Sequence, residues 1–325
     1  MNTQKALPPS VLTNSVEKFL KDVSPGDKVL VACSGGADSL ALAWTVQYVA
    51  KKNEIFVSAI VIDHQLFAES NQVAKDAVAK LKLLGIQEVV IKSVEVPKSP
   101  DGIEAAAREV RYQALKEFAQ EIAATQIYLG HTLEDQVETV LMRLTRGSGA
   151  RSLQGMSERN GFFVRPFLHI PRNAVRESLN LINIKAWEDP MNYSDKFLRS
   201  KIRNNLLPVL AEVLGVRAFE AIDRTATQIR DDNQALDLIC QDVMTLNHIE
   251  TRAEVSVLEM QPKAIRSRII RSMALNAGAP AASLANSHIE AINQLVENWH
   301  GQGEVALPGK LRAARVINQI VIEAK

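Results

Sequence analysis

The sequence predicts an α/β fold: a parallel sheet wrapped by helices, then a helical connector and a smaller C-terminal α+β domain. Apolar runs rich in Val, Ile and Phe alternate with stretches of helical periodicity over the first 170 residues, which is typical of parallel strands joined by helices. A glycine-rich loop links the first of these runs to the first helix. Further along, apolar residues recur at three- and four-residue spacing over 217–247, which predicts one long connecting helix or a bent pair.

The elements of the sheet follow in order along the chain. Strands are predicted at apolar runs, which are 27–33, 55–62, 88–96, 126–130 and 162–167. Helices are predicted between them, at 39–51, 68–84, 102–123 and 133–145, and a second helical zone runs from Lys196 to Leu214. In such a sheet ligands bind at the carboxyl ends of the strands. Asp63 and His64 follow the second predicted strand and His131 follows the fourth, so we expect all three at that edge.

Length and composition limit the classes of protein. A chain of 325 residues is too long for one ordinary domain, and we predict a catalytic domain over 1–216, a connector over 217–248 and a C-terminal domain over 249–325. No stretch approaches about 18 uninterrupted apolar residues and the N-terminus lacks an apolar secretion segment. We therefore expect a cytoplasmic protein with no membrane span. The only cysteines, Cys33 and Cys240, are far apart, which indicates neither a disulfide scaffold nor a metal cluster.

The glycine-rich loop has the residues of a phosphate-binding site. It reads Ser34-Gly35-Gly36-Ala37-Asp38-Ser39 between an apolar strand and a helix-forming run. Glycines let backbone N–H groups approach an oxyanion, serine hydroxyls add donors, and the following helix presents its positive end. A carboxylate beside a phosphate repels it unless a cation lies between them, so we interpret Asp38 as a Mg²⁺ ligand. The alternative is that Asp38 only places a favourable charge at a helix start.

A second motif begins at His131, directly after the fourth predicted strand. Asp135 and Glu138 stand three residues apart at a helix start, hence on one face of the helix and near the crevice. Two carboxylates so placed can clamp an ammonium group or a metal, or can merely favour the helix N-terminus. The run Arg146-Gly147-Ser148-Gly149 ends the segment. It can hold a phosphate, or simply end the helix at Gly147.

Charge is informative by its location. The formal net charge is only +1, yet seven arginines and a single acid lie between Arg143 and Arg176. The C-terminal domain adds an acid-free run with Lys263, Arg266, Arg268 and Arg271, whereas 101–138 carries eight acids and three bases. Basic surfaces beside an acidic region suit a polyanion such as RNA together with a small cationic substrate. Each basic cluster taken alone can also be an ordinary solvated surface.

These motifs resemble those of a known superfamily and of one family within it. The loop at 34–39 is similar to the PP-loop of the N-type ATP pyrophosphatases, which cleave ATP to AMP and pyrophosphate. Within that superfamily, the chain resembles the tRNA(Ile)-lysidine synthetases over nearly its full length. The segments that carry the resemblance are 104–112, 131–149, 165–168, 188–192 and 197–203, with 262–275 and 307–309 in the C-terminal domain.

The resemblance implies a ligase that adenylates the cytidine at the first anticodon position of tRNA(Ile) and then joins free L-lysine to that base, with ATP and Mg²⁺. The residues implied to bind ATP are Ser34, Gly35, Gly36, Ala37, Asp38, Ser39, Asp63, His64, His131, Arg146 and Gly147. The implied catalytic residues are Asp38, which holds the metal, with Arg111, Asp135 and Glu138. The implied contacts to the anticodon loop and the rest of the tRNA are Arg151, Arg165, Arg199, Arg203, Arg266, Arg268 and Arg271.

The resemblance also divides the binding of lysine among three side chains. Asp135 and Glu138 would receive its ammonium group, with Arg111 on its carboxylate or on the nucleotide, and these two assignments can be exchanged. Two residues depart from the family pattern. Glu134 stands at a usual Asp, and Phe67 stands at a usual Arg, so no contact is assigned to the turn that contains Phe67. Asp63 and His64, just before it, can serve the nucleotide or merely end a strand.

Two other functions are consistent with parts of the sequence. A non-catalytic protein that binds tRNA or a nucleotide could keep the loop, but it has no need for a magnesium carboxylate at a phosphate site. A tRNA thiolase could use the same loop, but many thiolases need a pair of working cysteines or a Cys-x-x-Cys motif, which this chain lacks. Incorporation of lysine or of sulfur into tRNA distinguishes these possibilities.

Overall fold

The computed structural model of the chain describes residues 6–65, 67–97, 102–145, 149–188 and 198–325. The contacts divide the chain into two compact units. One consists of Met1–Gly147 and Gln154–Ala226, and the other of Ser148–Leu153 and Thr227–Lys325. The three-part division drawn from the sequence stays a prediction. Among the described helices, none is both long and apolar enough to span a bilayer.

The first unit is built on a six-stranded sheet. Its strands are β1 (Lys28–Ala32), β2 (Phe56–Asp63), β3 (Glu88–Ser93), β4 (Ala124–Tyr128), β5 (Arg159–Asn160) and β6 (Phe163–Val164). Their order across the sheet is β3-β2-β1-β4-β6-β5. All neighbours are parallel except β5 and β6, which are antiparallel. The predicted parallel sheet is confirmed. The edge strand β5 was not predicted, because two residues are too few to show a period.

Helices cover the sheet and continue beyond it. The chain forms α1 (Ser10–Leu20), α2 (Ala37–Lys52), α3 (Ser70–Leu83), α4 (Ile103–Glu121), α5 (Leu133–Leu144), α6 (Ala150–Leu153), α7 (Arg172–Ser178), α8 (Leu198–Lys201), α9 (Leu207–Leu214) and α10 (Arg217–Leu246). A 3₁₀ turn follows α7 at Leu179–Ile182, and a π-helical turn at Ile202–Leu206 joins α8 to α9. The predicted connecting helix is confirmed as the single helix α10.

The central strand β1 is buried on both faces, which explains its continuous apolar run. Successive side chains of a strand point to opposite faces. Val29 and Val31 belong to the core formed with α1 and α2, whereas Leu30 belongs to the core formed with α4. Because both faces are covered, the carboxyl ends of the parallel strands are the place left open to a ligand.

The second unit packs helices against an antiparallel sheet. Its elements after α10 are β7 (Arg252–Glu254), α11 (Val255–Glu259), α12 (Lys263–Asn276), α13 (Asn286–Glu297), β8 (Val305–Leu307), β9 (Leu311–Val316) and β10 (Gln319–Ala324). The strand order is β7-β10-β9-β8, and all pairs are antiparallel. Ile269, Ile292 and Ile320 lie in its core, together with Cys240 of α10. The predicted C-terminal α+β architecture is confirmed, and it includes the second half of α10.

Candidate active site

The phosphate loop lies where β1 ends and α2 begins. The Ser39 hydroxyl donates to the Gly36 carbonyl over 2.9 Å and accepts from the Ser34 N–H over 3.2 Å, so it closes the loop on itself. Gly35 has a φ of +81°, and a Cβ there would lie 3.1 Å from the Cβ of Ala77. Glycine is therefore required on both counts. The first N–H groups of α2, which have no partner within the helix, are available to an anion at this loop.

The end of β4 approaches the loop closely. A Cβ on Gly130 would lie 3.1 Å from the backbone of Asp38 and of Ser39, so only glycine fits this crossing. The motif that starts at His131 therefore begins beside the phosphate loop. This approach brings the second motif of the sequence to the first, as expected for residues that follow neighbouring parallel strands.

Asp38 lies between two arginines of α7. Nε of Arg176 donates to Oδ1 of Asp38 over 3.2 Å, and Nε of Arg172 lies 3.8 Å from Oδ2. Burial raises the pKa of Asp38, while the two arginines act in the opposite direction. Arg172 is the first residue of α7, where a cation is unfavourable for the helix dipole, whereas Arg176 lies in the last turn, where a cation is favourable.

The acidic pair of α5 is buried and is held by three arginines. Glu138 has no exposed side-chain surface. It accepts from Arg172 at 3.1 Å, from Nε of Arg199 at 2.8 Å and from Nε of Arg203 at 2.7 Å. Oδ1 of Asp135 accepts from the same three guanidinium groups at 3.1, 3.1 and 2.9 Å. This network joins α5, α7, α8 and the π-helical turn.

The two oxygens of Asp135 have different partners. Oδ2 accepts from the backbone N–H of Thr132 over 2.9 Å and lies 3.1 Å from its hydroxyl, so the helix-start role is also present. Burial raises the pKa of Asp135, but Arg172 and Arg199 outweigh it and hold that pKa below its usual range. Asp135 is therefore a carboxylate at neutral pH, and the cations that it binds in this structure are the three arginines.

Gln136, which belongs to the motif that begins at His131, has a structural role. The Gln136 side chain is fully buried, donates to the carbonyl of Met156 over 2.9 Å and accepts from its N–H over 2.6 Å. A Cβ on Gly155 would lie 2.6 Å from Oε1 of Gln136. Nη1 of Arg143 donates to the Gly155 carbonyl over 2.8 Å. The motif thus fastens the segment at 155–156 to α5.

Buried nitrogens without partners gather at the carboxyl edge of the sheet. Among the described residues, they include Nδ1 of His64, Nε of Arg111 and Nδ1 of His131. Burial lowers the pKa of all three groups. Of the two histidines, His131 has the pKa that lies further below its ordinary value. Buried polar groups nearly always have a partner. Their lack of one is expected where a polar ligand binds.

Asp63 and the second glycine run were both assigned to ATP, but the structure describes only Asp63. Asp63 is buried at the end of β2, and its Oδ1 accepts from the Gln65 N–H over 3.0 Å. Its carboxylate therefore shapes the turn after the strand, and its assignment to ATP stays a prediction. Arg146 and Gly147 lie outside the described residues. Their assignment to ATP stays a prediction.

Arg165 does not lie on a surface that tRNA could contact. Its residue is 4% exposed, and its guanidinium donates to the Ser157 carbonyl over 2.9 Å and to the Tyr112 hydroxyl over 3.3 Å. Phosphate contacts need an exposed cation. The assignment of Arg165 to tRNA therefore does not fit the structure, because the sequence pattern does not show that the residue after β6 turns inward.

Arg266 is also internal to its unit. It is 5% exposed, and its Nε donates to Oδ1 of Asn293 over 3.0 Å. It also forms an ion pair with Glu297. Its assignment to tRNA likewise does not fit, because the partners come from α13, a helix that the spacing of charges along α12 does not reveal.

The other basic candidates of the second unit have internal partners but keep some exposure. Arg151 pairs with Asp237 at 2.5 Å and its side chain is 42% exposed. Arg268 donates to Oδ1 of Asn233 over 2.6 Å, and Arg271 donates to the backbone carbonyl of residue 284 over 2.9 Å. Arg151 is thus the most accessible of these three, and tRNA binding by all three stays a prediction.

The roles of Arg172 and Arg176 were not predicted from the sequence. Both were counted only in the basic stretch between Arg143 and Arg176. Two signals were present in the sequence: the arginines stand four residues apart and so share one face of a helix, and they follow a predicted strand of the sheet. Glu134 was treated as a departure from a pattern, and its Oε2 accepts the backbone N–H of Arg172 over 2.8 Å.

The geometry and the comparisons define the class of this protein. A family model described as a PP-loop domain matches residues 9–210, and one described as a TilS substrate binding domain matches residues 254–318. The tRNA(Ile)-lysidine synthase of Thermobifida fusca (strain YX) is 42% identical over 318 residues, which are 98% of this chain and 98% of that protein. The chain belongs to the tRNA(Ile)-lysidine synthase family, whose members are ATP-dependent ligases.

Two further relatives belong to the same family. The tRNA(Ile)-lysidine synthase of Streptomyces coelicolor (strain ATCC BAA-471 / A3(2) / M145) is 41% identical over 298 residues, covering 90% of this chain and 84% of the relative. That of Rhodococcus erythropolis (strain PR4 / NBRC 100887) is 40% identical over 306 residues, covering 94% and 91%. The family predicted from the motifs is therefore confirmed, and so is the enzyme class.

A solved structure shares the fold at lower identity. The U34-tRNA thiolase NcsA from Methanococcus maripaludis, solved with its [4Fe-4S] cluster, has a TM-score of 0.56 and 21% identity, covering 67% of this chain and 78% of that one. The likeness concerns the fold alone. The present sequence has only two cysteines. Cys33 is buried beside the phosphate loop, where burial raises the pKa of its thiol, so it is a poor nucleophile.

Proposed function

We propose that the chain joins lysine to C2 of the cytidine at the first anticodon position of tRNA(Ile), and that it converts ATP to AMP and pyrophosphate in doing so. The observation that carries this proposal is the position of Arg172. Its guanidinium lies 3.8 Å from Asp38, 3.1 Å from Asp135 and 3.1 Å from Glu138. One side chain thereby links the phosphate loop to the acidic pair, as a reaction between a nucleotide and a cationic amino acid requires.

In the first step, O2 of the cytidine would attack the α-phosphorus of ATP, and pyrophosphate would leave. The Ser34 and Ser39 hydroxyls and the first N–H groups of α2 would hold the pyrophosphate portion. Arg172 and Arg176 lie at the same loop and can offset the charge on the leaving group. Chemistry at a base requires an unstacked nucleotide, which an anticodon loop supplies.

Magnesium fits this site in the manner usual for nucleotide enzymes. Mg²⁺ is commonly bound by one or two carboxylates together with substrate phosphates. Asp38 supplies a carboxylate at the phosphate loop, with a side chain that is 20% exposed. Among the described residues, no group of three or more acids, histidines and cysteines could hold a metal by itself, so the remaining ligands would be phosphate oxygens and water. The ion would neutralise charge on the transferring phosphates.

In the second step, the ε-amine of lysine would attack C2 of the adenylated cytidine and AMP would leave. Asp135 and Glu138 would hold the amino acid through its ammonium group, in competition with Arg172, Arg199 and Arg203. The amine has to lose a proton before it attacks, because its ordinary pKa is near 10.4. Arg111 would contact the carboxylate of lysine or the nucleotide, and its buried, unpartnered Nε supports a polar ligand at that point.

The C-terminal unit would bind the tRNA. The match of a substrate binding domain to residues 254–318 supports this role. Arg151 and Lys263 have side chains that are 42% and 57% exposed, and cations so exposed can neutralise phosphates. Arg199 and Arg203 were assigned to tRNA from the sequence. Both arginines form ion pairs with Glu138, which supports a role nearer to the reacting groups.

The test is the transfer of radiolabelled lysine to a tRNA(Ile) transcript in the presence of ATP and Mg²⁺, with AMP measured alongside. We expect one lysine incorporated for each AMP formed. A matched transcript in which the target cytidine is replaced by uridine should accept none. Incorporation of sulfur from a thiol donor, or binding of tRNA without any AMP, would contradict the proposal.

A further inference from the structure

Phe67 and Trp187 form a partly exposed aromatic pair beside the phosphate loop. Their ring centroids lie 5.9 Å apart and their planes meet at 16°, so the rings are stacked. Phe67 is 38% exposed and Trp187 is partly buried. A further flat ring can stack on such a pair where a ring face is open to solvent.

Trp187 is attached to the phosphate loop itself. Its backbone N–H donates to the carbonyl of Gly35 over 3.0 Å. On the other side of the same residue, its carbonyl oxygen would lie 3.9 Å from a Cβ placed on Gly36. The indole therefore belongs to a segment that runs along the loop. A ring that stacks on this pair would be close to the phosphates that the loop is proposed to hold.

Phe67 is held by the turn that follows β2. The buried Asp63 accepts the N–H of Gln65, whose φ of +53° lies in the left-handed region. On the other side, the carbonyl of Phe67 accepts the N–H of Ser70 at the start of α3 over 3.2 Å. Gln65 is thus tied to the end of β2, and Phe67 is tied to the start of α3.

His64 adds a polar group to the same turn. Its Nδ1 is buried and has no hydrogen-bond partner among the described residues. A flat aromatic face together with a neutral imidazole nitrogen can recognise a nucleobase, by stacking and by a hydrogen bond to its edge. An aliphatic or purely ionic ligand could interact with the His64 nitrogen, but it would gain little binding energy from stacking on the aromatic pair.

We propose that Phe67 and Trp187 form a stacking platform for a nucleobase. The proposal rests on the proposed function for the identity of the base, because adenine of ATP and a base of the anticodon loop are the two bases that this reaction brings to the phosphate loop. Each of these two bases would present an aromatic face to the pair. No role was assigned to Phe67 from the sequence, because the family pattern usually has an arginine at that position and an arginine supplies charge.

The test uses Phe67→Leu, which keeps an apolar side chain and removes the ring, with Phe67→Tyr as the conservative variant. Dissociation constants are measured by calorimetry for the full chain with ATP, inorganic tripolyphosphate, the tRNA(Ile) transcript, and the same transcript with an abasic site at the target position. We expect Phe67→Leu to weaken either ATP or tRNA by about 5- to 100-fold, the range of single base–aromatic stacking. Phe67→Tyr should restore wild-type binding.

The pattern of loss identifies the base. Weaker binding of ATP with unchanged tripolyphosphate places adenine on the pair. Weaker binding of tRNA, with the difference between normal and abasic transcripts lost, places the cytidine there. Either result supports the proposal. Unchanged constants for both ligands would overturn it, and so would equal weakening of ATP and tripolyphosphate, because the pair would then only shape the phosphate loop.

Phe56→Leu is the matched control. Phe56 is 63% exposed at the opposite end of β2, so its replacement removes a similar ring from the same strand and should leave every constant unchanged. Thermal unfolding of each variant reports whether the fold is kept. If the wild-type protein fails to incorporate lysine, the proposed function fails, but the ATP, tripolyphosphate and RNA constants still decide whether the platform exists.

Discussion

Nε of Arg203 donates to Oε1 of Glu138 over 2.7 Å, although 65 positions separate the two residues in the sequence. Arg203 lies in the π-helical turn Ile202–Leu206, and the Glu138 side chain is completely buried. Turns of this kind are frequent at functional sites, where they re-aim side chains. A buried carboxylate is stable only when it is paired. The carboxylate that we propose for lysine is therefore also a main partner of the arginines around it.

We predict that Glu138→Gln weakens the use of lysine far more than the binding of ATP. Loss of one partner in a buried, charge-assisted contact costs roughly 2–5 kcal/mol. The Michaelis constant for lysine and the dissociation constant for ATP should be measured on the same preparation. A normal constant for lysine with lost binding of ATP would reassign the pair to the nucleotide or to a metal.

The same substitution should also lower the free energy of unfolding. It removes one of the two carboxylates that the three arginines share, and the arginines keep only Asp135 of the pair; breaking a buried ion pair typically costs about 3–5 kcal/mol. Glu158→Gln is a suitable comparison, because its ion pair with Lys18 is partly exposed and such pairs contribute about 0–1 kcal/mol. Urea denaturation of both variants gives the two values. Equal, small losses would show that the pairing of Glu138 adds little to stability.

Asp38→Asn should abolish turnover while the fold is kept. Asparagine preserves the size of the side chain but not the charge needed for a metal next to phosphates. We expect a loss of several kcal/mol of transition-state stabilisation. Release of pyrophosphate should be measured with ATP and tRNA(Ile), together with the thermal midpoint. Pyrophosphate release near the wild-type rate would rule out the metal-binding role.

His131 should make stability depend on pH below neutrality. Burial lowers the pKa of His131 well below its ordinary value, so the unfolded chain binds the proton more readily than the folded chain. Stability from this residue is full above pH 6.5 and is lost as the pH falls, by up to about 1.4 kcal/mol per pH unit, until the folded pKa is reached. Asparagine cannot take up this proton. The difference in unfolding free energy between wild type and His131→Asn should therefore shrink from pH 7.5 to 5.5, and a constant difference would contradict this account.

Arg266→Ala should mainly change stability and Lys263→Ala should mainly change tRNA binding, although both residues lie in α12. Arg266 is buried against Asn293 and Glu297, so its removal leaves polar groups unpaired and should cost about 1–3 kcal/mol in unfolding. Lys263 is 57% exposed. Its removal should change stability by less than about 0.5 kcal/mol and reduce the salt slope of tRNA binding by about one. Unfolding in urea and binding at several salt concentrations test both, and a reduced salt slope for Arg266→Ala alone would restore that residue to the tRNA surface.

Local patterns in the sequence were sufficient for the sheet, the long helix and the phosphate loop. The run from Val29 to Ala32 is apolar because β1 is buried on both faces, and the spacing of apolar residues over α10 follows the period of a helix. The loop at 34–39 was recognisable because glycine and serine are needed there for local reasons. Each of these features depends on residues that are neighbours in the chain.

The tertiary structure decided which charges meet. The sequence showed Asp135 and Glu138 on one face of a helix, but their partners come from α7, α8 and the π-helical turn, and no local pattern connects those segments. In the same way, the spacing of arginines on α12 could not separate the buried Arg266 from an exposed cation, because α13 supplies its partners. The sequence by itself determined most strands of the first sheet, the long helix, the phosphate loop and the family. The pairing of buried charges was decided only by the tertiary structure, because Coulomb interactions depend on distance in space, and segments far apart in the chain set that distance.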